Sequence, residues 1–250
     1  MIVTPIKTKV VSENDTLFSV LNSSIEVLAE DTVLAITSKI VAITEKRTAP
    51  LGDKSFKKKL IVKEADLYID DPLFDKYGII LTIKNNQLTV SAGIDESNAN
   101  GRYVLWPENP MESARKIWTY LRKKHNVTKL GIVITDSRSA PLRWGVTGYA
   151  IGWCGFKPLK RYIGTPDLFG RPFHFVNTSV IDSLAATAVT VMGEGAEQTP
   201  LATVTDIPDI EFTTRPPTEK EIRSLKINLE DDLYAPLLRQ IVWKKGKGGS

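Results

Sequence analysis

Three short segments of this 250-residue chain each end an apolar run with an acid set among small polar residues. They are "SAGIDESN" with Asp95, "GIVITDSRS" with Asp136 and Ser137, and "VTVMGEGAE" with Glu194. An acid at the end of a buried element is held rigidly, and acids from separate elements can converge on one point. Hard cations such as Mg²⁺ and Mn²⁺ take one or two carboxylates each, completed by water and phosphate oxygens. The glycines beside Asp95 and Glu194 let backbone N–H groups come close to a phosphate. Asn98 is a candidate hydrogen-bond partner for a nucleotide, and the Ser137 hydroxyl is a candidate metal ligand. Taken singly, each segment reads first as a cap or a solvent-facing turn, because Asp, Asn and Ser are turn formers. Their recurrence makes a two-metal phosphate site worth testing. An EF-hand loop is excluded for "DESNANG", since its sixth and twelfth positions fall on Asn100 and Trp106.

Other chemistries drop out. The chain has no GxxxxGK[ST] loop, and "GEGAEQ" places glutamine where a dinucleotide fingerprint needs its third glycine. Two histidines, His125 and His174, and the single Cys154 leave no Cys/His zinc set and no internal disulfide. That cysteine usage suits a reducing compartment, and a cytoplasmic location is expected. Cys154, within "IGWCGF", reads as a packed thiol. A net charge of +4 is mildly basic and is attributed to lysine-rich solubility, so no nucleic-acid partner is inferred. No apolar run reaches the length of a membrane span, and the first residues lack the features of a signal peptide.

Around these segments, "DTLFSVLNSSIEVLAED" carries Leu17, Val20, Leu21, Ile25 and Leu28 at helical spacing, with Asp15 as the expected N-cap. "TVLAITSKIVAIT" reads as a buried strand interrupted at Ser38–Lys39, and "APLGDKSFKKK" as a basic loop. Two strands turning at Asn85–Asn86 are expected in "GIILTIKNNQLTVSAG". "NPMESARKIWTYLRKKHNV" predicts a helix with an apolar stripe at Met111, Ala114, Ile117, Trp118 and Leu121. "KLGIVITD" predicts a buried strand, followed by a glycine-rich span at 145–155. Further on come a strand in "HFVNTSV", a helix in "VIDSLAATAVTVMG" stopped by Gly193, and a strand in "PLATVTD". "EKEIRSL" and "DLYAPLLRQIVW" are candidate helices. Strands and helices without strict βαβ alternation give an α+β class. The expected organisation is a catalytic domain over 1–212, with two interleaved lobes as the alternative to one, a helical extension over 213–245 and a flexible tail over 246–250.

With these blocks assembled, the chain resembles the coenzyme F420-0:L-glutamate ligases, the γ-glutamyl ligases of deazaflavin coenzyme synthesis. The likeness runs from about Lys7 to Asp206. It rests on "LAITSKIVAITEKR", "AGIDESNANG", "GIVITDSRSAPLRWGVTGYAIGWCG", "YIGTPDLFGRP" and "DSLAATAVTVMGEGAEQTPLATV". The branch named for folate metabolism looks most similar, including the tail around "EDDLYAPLL". The resemblance implies a mixed fold with a nucleotide groove, built as a homodimer. It places two divalent metals, Mg²⁺ or Mn²⁺, on Asp95, Asp136, Ser137 and Glu194, with K⁺ as a further candidate ion. It places GTP against Ser38, Lys39, Asn98 and the Gly193–Gly195 turn.

The implied reaction joins L-glutamate to a carboxylate of a small-molecule acceptor (folate-like, F420-0-like or glutamyl) through an acyl phosphate. Two departures from the family pattern stand out. Ile43 replaces a second lysine, and "SAPLR" (Ser139–Arg143) keeps the final arginine of a commoner "GRPWR" but loses its first arginine and its tryptophan. Arg138 and Arg143 are candidate contacts for an anionic acceptor, with solvated loop arginines as the alternative. Lys54, Lys57, Lys58 and Lys59 are candidates to fold over phosphates, and Trp144, Trp153, Phe156 and Tyr162 to stack on a base, against plain solubility and core packing. The rival readings are a metal-dependent phosphohydrolase and a nucleotide- or metal-binding module without catalysis.

Overall fold

The run "TVLAIT" alternates between two cores instead of between core and solvent. In the computed structural model, which describes residues 1–249, Leu34 and Ile36 face one hydrophobic cluster while Val33 and Ala35 face another. A strand covered on both faces has no polar side, which is why the run is apolar throughout.

The first elements in chain order are β1 (Ile2–Ile6), α1 (Leu17–Ser24), β2 (Thr32–Thr37), α2 (Ser38–Thr44), β3 (Thr48–Pro50) and α3 (Lys54–Glu64). Next are β4 (Leu67–Tyr68), α4 (Leu73–Tyr77), β5 (Leu81–Lys84), β6 (Gln87–Val90), β7 (Arg102–Val104) and α5 (Pro110–His125). Then follow β8 (Leu130–Ser139), β9 (Val146–Cys154), β10 (Leu159–Arg161), β11 (Asn177–Ser179), α6 (Val180–Met192) and β12 (Leu201–Thr205). Last come α7 (Glu219–Ser224), α8 (Ala235–Leu238) and β13 (Lys244–Lys245).

The main sheet has the order β1-β12-β2-β8-β9. Its β2 and β8 run parallel, in register from Thr32↔Leu130 to Thr37↔Thr135, and its other pairs are antiparallel. On one face lies α5, burying Ala114, Ile117, Trp118 and Leu121. Asn109 caps that helix by accepting from the Glu112 N–H (3.0 Å), and Asn126 ends it in the left-handed region at φ 52°. On the other face lies α6, through Leu184, Ala185, Ala188 and Met192. Each fully buried leucine or isoleucine contributes roughly 1.5–3 kcal/mol, so these two stripes fix the helices to the sheet.

A second sheet, β13-β4-β5-β6, and the β3–β7 ribbon surround a smaller core of Ile61, Phe74, Ile80, Tyr103 and Leu105. The α+β class stands, with mixed sheets and packed helices. The Asn85–Asn86 turn also stands, both residues at positive φ as a tight hairpin requires.

Several local expectations are corrected. The strand read in "TVLAITSKIVAIT" ends at Thr37, whose side chain caps α2 by accepting from the Lys39 N–H (3.4 Å). Burial of Ile40, Val41, Ala42 and Ile43 overrides the β-branched preference for strand. The basic "loop" is helix α3, capped by Asp53 on the Phe56 N–H (2.8 Å); it has few apolar residues, so periodicity could not reveal it. Thr16 caps α1 in place of Asp15, and Ile25 and Leu28 reach the core beyond the helix end. The carbonyls of Val62, Lys63, Ala65 and Asp66 accept the N–H groups of residues 246–249, where glycine content predicted a free tail. Among the described residues no helix is long and apolar enough to cross a membrane.

The glycine-rich span is strand β9, and its glycines mark where helices press on the sheet. A Cβ at Gly148 would lie 2.6 Å from the Ala185 carbonyl oxygen, and one at Gly152 would lie 2.5 Å from that of Pro110. Backbone cannot swing aside as a side-chain tip can. Gly152→Ala is therefore expected to destabilise the fold by about 1–3 kcal/mol, the scale of overpacking, read as a lowered urea midpoint with an unchanged slope. A midpoint equal to wild type would refute the close packing of α5 on β9.

Candidate active site

Four segments far apart in sequence line one cavity of about 1240 Å³. The β2–α2 junction brings Ser38 and Lys39. The loop after β6 brings Asp95 and Asn98. The end of β8 brings Asp136, Ser137 and Arg138, and the end of α6 brings Gly193, Glu194 and Gly195. Ile43 lines the wall too, packed with Ala42, Ala99 and Val104, so an apolar cluster stands where the family pattern has a lysine. Arg143 does not line the cavity; it is exposed in the β8–β9 turn.

Each acid is positioned by a distinct backbone device. At Asp95 the preceding Ser91, Ala92 and Gly93 all have positive φ, of 50°, 54° and 74°. Left-handed backbone is costly for serine and alanine, and here it is held by bonds from Ser91 N to Ile80 O (2.6 Å) and Ala92 N to Thr82 Oγ1 (2.9 Å). Asp95 is then clamped to β7 by reciprocal backbone bonds with Val104 of 2.9 and 2.7 Å. Asp136 follows a register shift in the β8–β9 pairing between Ile134 and Thr135. Such irregularities re-aim side chains beside functional sites. Glu194 comes after Gly193, which stops α6 at φ 79°, ψ 167°.

These segments are tied together. Lys39 Nζ lies 2.6 Å from Asp95 Oδ2 and donates to the Ser97 carbonyl at 2.7 Å. The Ser97 N–H and hydroxyl donate to the two Asp95 oxygens at 2.8 and 2.9 Å. Asn98 Nδ2 donates to the Gly195 carbonyl at 2.7 Å, joining the first loop to the last. The Ser137 hydroxyl donates to Glu194 Oε1 at 2.5 Å. The Trp106 indole N–H donates to Asp136 Oδ2. Among the described residues no group of three His, Cys, Asp or Glu side chains is gathered tightly enough to hold a metal unaided.

The two aspartates differ electrostatically. Burial raises the Asp95 carboxyl, but the Lys39 ammonium and the Ser97 donors outweigh it and leave it below the usual range. At Asp136 burial wins and lifts the carboxyl to about 6; the Asp95 charge adds to the rise, while the Trp106 and Ser137 N–H groups oppose it.

Sequence reasoning missed three residues of this site. Trp106 is one, Ser97 another. The third is Glu197, whose Oε2 accepts the Gly195 N–H at 2.8 Å, over the turn expected to face a phosphate. None carries a signal beyond its nearness to the acidic motifs. Arg138 lies 4.9 Å from the Tyr149 ring, and Lys57 pairs with Glu96 at 3.0 Å, which draws α3 toward the Asp95 loop. Trp153 and Phe156 are core residues, Tyr162 packs edge-on against Phe173, and Trp144 is fully exposed. Cys154 is fully buried, and burial pushes its thiol up to about 12, as suits a packed residue.

An α+β fold that gathers carboxylates, a hydroxyl and a lysine from the ends of separate buried elements into one cavity defines a class of scaffold with an oxygen-rich, polar site. The comparison with known proteins makes the class specific. The chain belongs to the F420-0:Gamma-glutamyl ligase family, whose model matches residues 5–206 and so spans every segment of the cavity named above. It is similar to the coenzyme F420:L-glutamate ligase of Methanosarcina mazei, 32% identical over 216 residues that cover 79% of this chain and 82% of the relative. The ligase of the same name from Halobacterium salinarum is 30% identical over 201 residues, covering 71% and 76%. That of Halorubrum lacusprofundi is 27% identical over 254 residues, covering 92% and 94%. The chain is thus an enzyme of the γ-glutamyl ligase class.

The raised Asp136 carboxyl carries a stability consequence. Its folded value of about 6 lies above the ordinary 3.8, so the charged form costs folding free energy above pH 6. That cost shrinks as pH falls from 6 toward 4, and it vanishes below, where both folded and unfolded states are protonated. The shift sets an upper limit of roughly 3 kcal/mol. In chelator at pH 7.5, Asp136→Asn is expected to melt several degrees above wild type, with the two converging near pH 4. Equal melting temperatures at pH 7.5 would refute the raised value.

Proposed function

We propose that this chain is a GTP- and divalent-metal-dependent ligase that adds L-glutamate to a carboxylate of a folate-like, F420-0-like or glutamyl acceptor. The observation that carries the reading is the convergence of Asp95, Asp136, Ser137 and Glu194, with Lys39 and Asn98, on one cavity. The donor set is entirely oxygen, as Mg²⁺ or Mn²⁺ requires. The Asp136 carboxylate, driven up by burial, is one that an added positive charge would hold ionised. On both counts the donor chemistry suits a hard divalent cation completed by water or phosphate oxygens, and the reading proposes two such ions, with K⁺ as a further candidate. Bound there, such ions would offset the charge of a triphosphate and of the group in transfer.

The acceptor's carboxylate oxygen is a poor leaving group, so amide formation begins with its attack on the γ-phosphorus of GTP, which breaks the bond to the β,γ-bridging oxygen and releases GDP. The amine of L-glutamate then attacks the resulting acyl phosphate, and phosphate leaves with the former carboxylate oxygen. In this scheme Lys39 exchanges its contact with Asp95 for a phosphate oxygen and steadies it. Ser38 and Asn98 hold the nucleotide, together with the Gly193 and Gly195 backbone once the Glu197 carboxylate moves off the Gly195 N–H. Arg138, on the cavity wall, is the better placed of the two arginines to meet an anionic acceptor; Arg143 would reach one only from its exposed turn. Exposed Leu142, Trp144, Leu168, Phe169 and Phe175 form apolar loop tips that support assembly as a homodimer.

Asp95→Ala and Asp136→Ala are each expected to lower turnover at least ~10²-fold, the scale of losing one preorganised electrostatic partner. Near wild-type turnover in a folded variant would sink the assignment. The reaction itself is tested by incubation with GTP, Mn²⁺ and L-glutamate against F420-0, folates and glutamyl peptides, reading product mass. One added glutamyl unit per GTP consumed is the expected result. GTP hydrolysis indifferent to glutamate would instead establish a phosphohydrolase, and nucleotide binding with no turnover on any acceptor would establish a binding module.

A further inference from the structure

A buried ion cluster lies beneath the Asp136 side of the cavity. Glu64, 1% exposed, accepts from Lys84 Nζ at 2.5 Å and from Arg47 Nη2 at 2.6 Å. Truncating one partner of such a cluster strands a charge, and well-packed apolar side chains of similar volume would often serve stability as well. Its geometry indicates a further task, because both cations also hold Trp106. Arg47 Nε donates to the Trp106 carbonyl at 3.1 Å, and Lys84 Nζ lies 5.7 Å from the centre of the indole ring. Tyr149 closes another side, its ring centre 6.4 Å away.

The indole, 1% exposed, touches both acid-bearing segments. Its N–H donates to Asp136 Oδ2. Its edge lies against the backbone of Gly93, two residues before Asp95, so closely that a Cβ there would fall 1.9 Å from Nε1. An indole N–H is a donor only and has one direction. Fixed from behind by a carbonyl bond, a cation over its face and a neighbouring ring, it sets the rotation of the carboxylate it meets.

We propose that Trp106 is a positioning residue for Asp136, one that sets this carboxylate and the Asp95 loop at a fixed separation for cation binding, with Arg47, Glu64 and Lys84 as its support. The proposal rests on the metal-dependent reading above. Outer partners of ligating carboxylates commonly govern metal affinity by about 10–100-fold. Phenylalanine keeps an aromatic ring at this site and removes the donor. Benzothienylalanine keeps the full bicyclic shape without the N–H, which answers any misfolding of the smaller variant.

The experiment measures Mn²⁺ binding by electron paramagnetic resonance in the absence of nucleotide and acceptor, for wild type, Trp106→Phe, the benzothienylalanine form and Asp136→Asn, each checked by thermal melt. Both Trp106 replacements are expected to stay folded and bind Mn²⁺ at least ~10-fold more weakly. A merely structural tryptophan would lower the melting temperature and leave the affinity of the folded fraction intact. Wild-type affinity in the benzothienylalanine form, with binding weakened in Asp136→Asn, would overturn the positioning role alone. Undiminished Mn²⁺ binding in Asp136→Asn would overturn the metal reading beneath it.

Discussion

Everything in the cavity depends on two parallel strands, β2 and β8, that are buried on both faces along their shared pairing, which stops where β2 ends and β8 runs on. Their register carries Thr37 opposite Thr135, so the next residues of each chain segment emerge side by side. One strand releases Ser38 and Lys39 into a capped helix, and the other releases Asp136 and Ser137 into the pairing with β9. Parallel strands place their carboxyl ends together, and the space beyond those ends is where α/β sheets hold their ligands. Here a largely antiparallel sheet keeps one such pair at its centre. The helices on either face supply the apolar burial that keeps the pair rigid, and without that rigidity the acids would have no common reference.

The charges are arranged as a standing tension. Lys39 and Ser97 relieve Asp95, so this carboxylate is stable in its ionised form. Asp136 is strained in its ionised form by burial, which the Trp106 and Ser137 N–H groups and the weak pull of Lys39 do not offset. The Asn98–Gly195 bond and the Ser137–Glu194 bond link the three acid segments without neutralising them. The fold therefore spends stability at one carboxylate and recovers it in the two apolar faces of the sheet.

Much of this was legible in the sequence, for identifiable reasons. The strands β2 and β8 and the helices α5 and α6 announce themselves because burial of whole faces imposes strong apolar patterns. The three acidic turns stood out because small residues must surround a side chain delivered into a tight loop. Their meeting in one cavity was beyond local pattern, and only the ordered blocks of family resemblance supplied it. Helix α3 was read as a loop because its stability comes from an Asp53 cap and from buried Ile61 and Glu64, without a periodic stripe. Strand β9 was read as merely glycine-rich because its glycines answer to helices distant in sequence. Trp106 had no signal at all, since an indole donor is meaningful only once its acceptor is known.

The irregular pairing between β8 and β9 has an evolutionary corollary. Past Ile134 the partner of each β8 residue is displaced by one on β9, with Thr135 opposite Ala150 and Ile134 opposite Gly152. The extra residue is Ile151, which shares the Tyr149 face, so Thr135 with Ala150 and Val133 with Trp153 keep to one core on both sides of the bulge. A one-residue insertion or deletion within the paired stretch from Thr135 to Ser139 would slip this register and turn its side chains to the opposite face, a constraint that the exposed tip at 140–145 does not share. The tip can therefore diverge in length and sequence while the acid-bearing floor stays as it is.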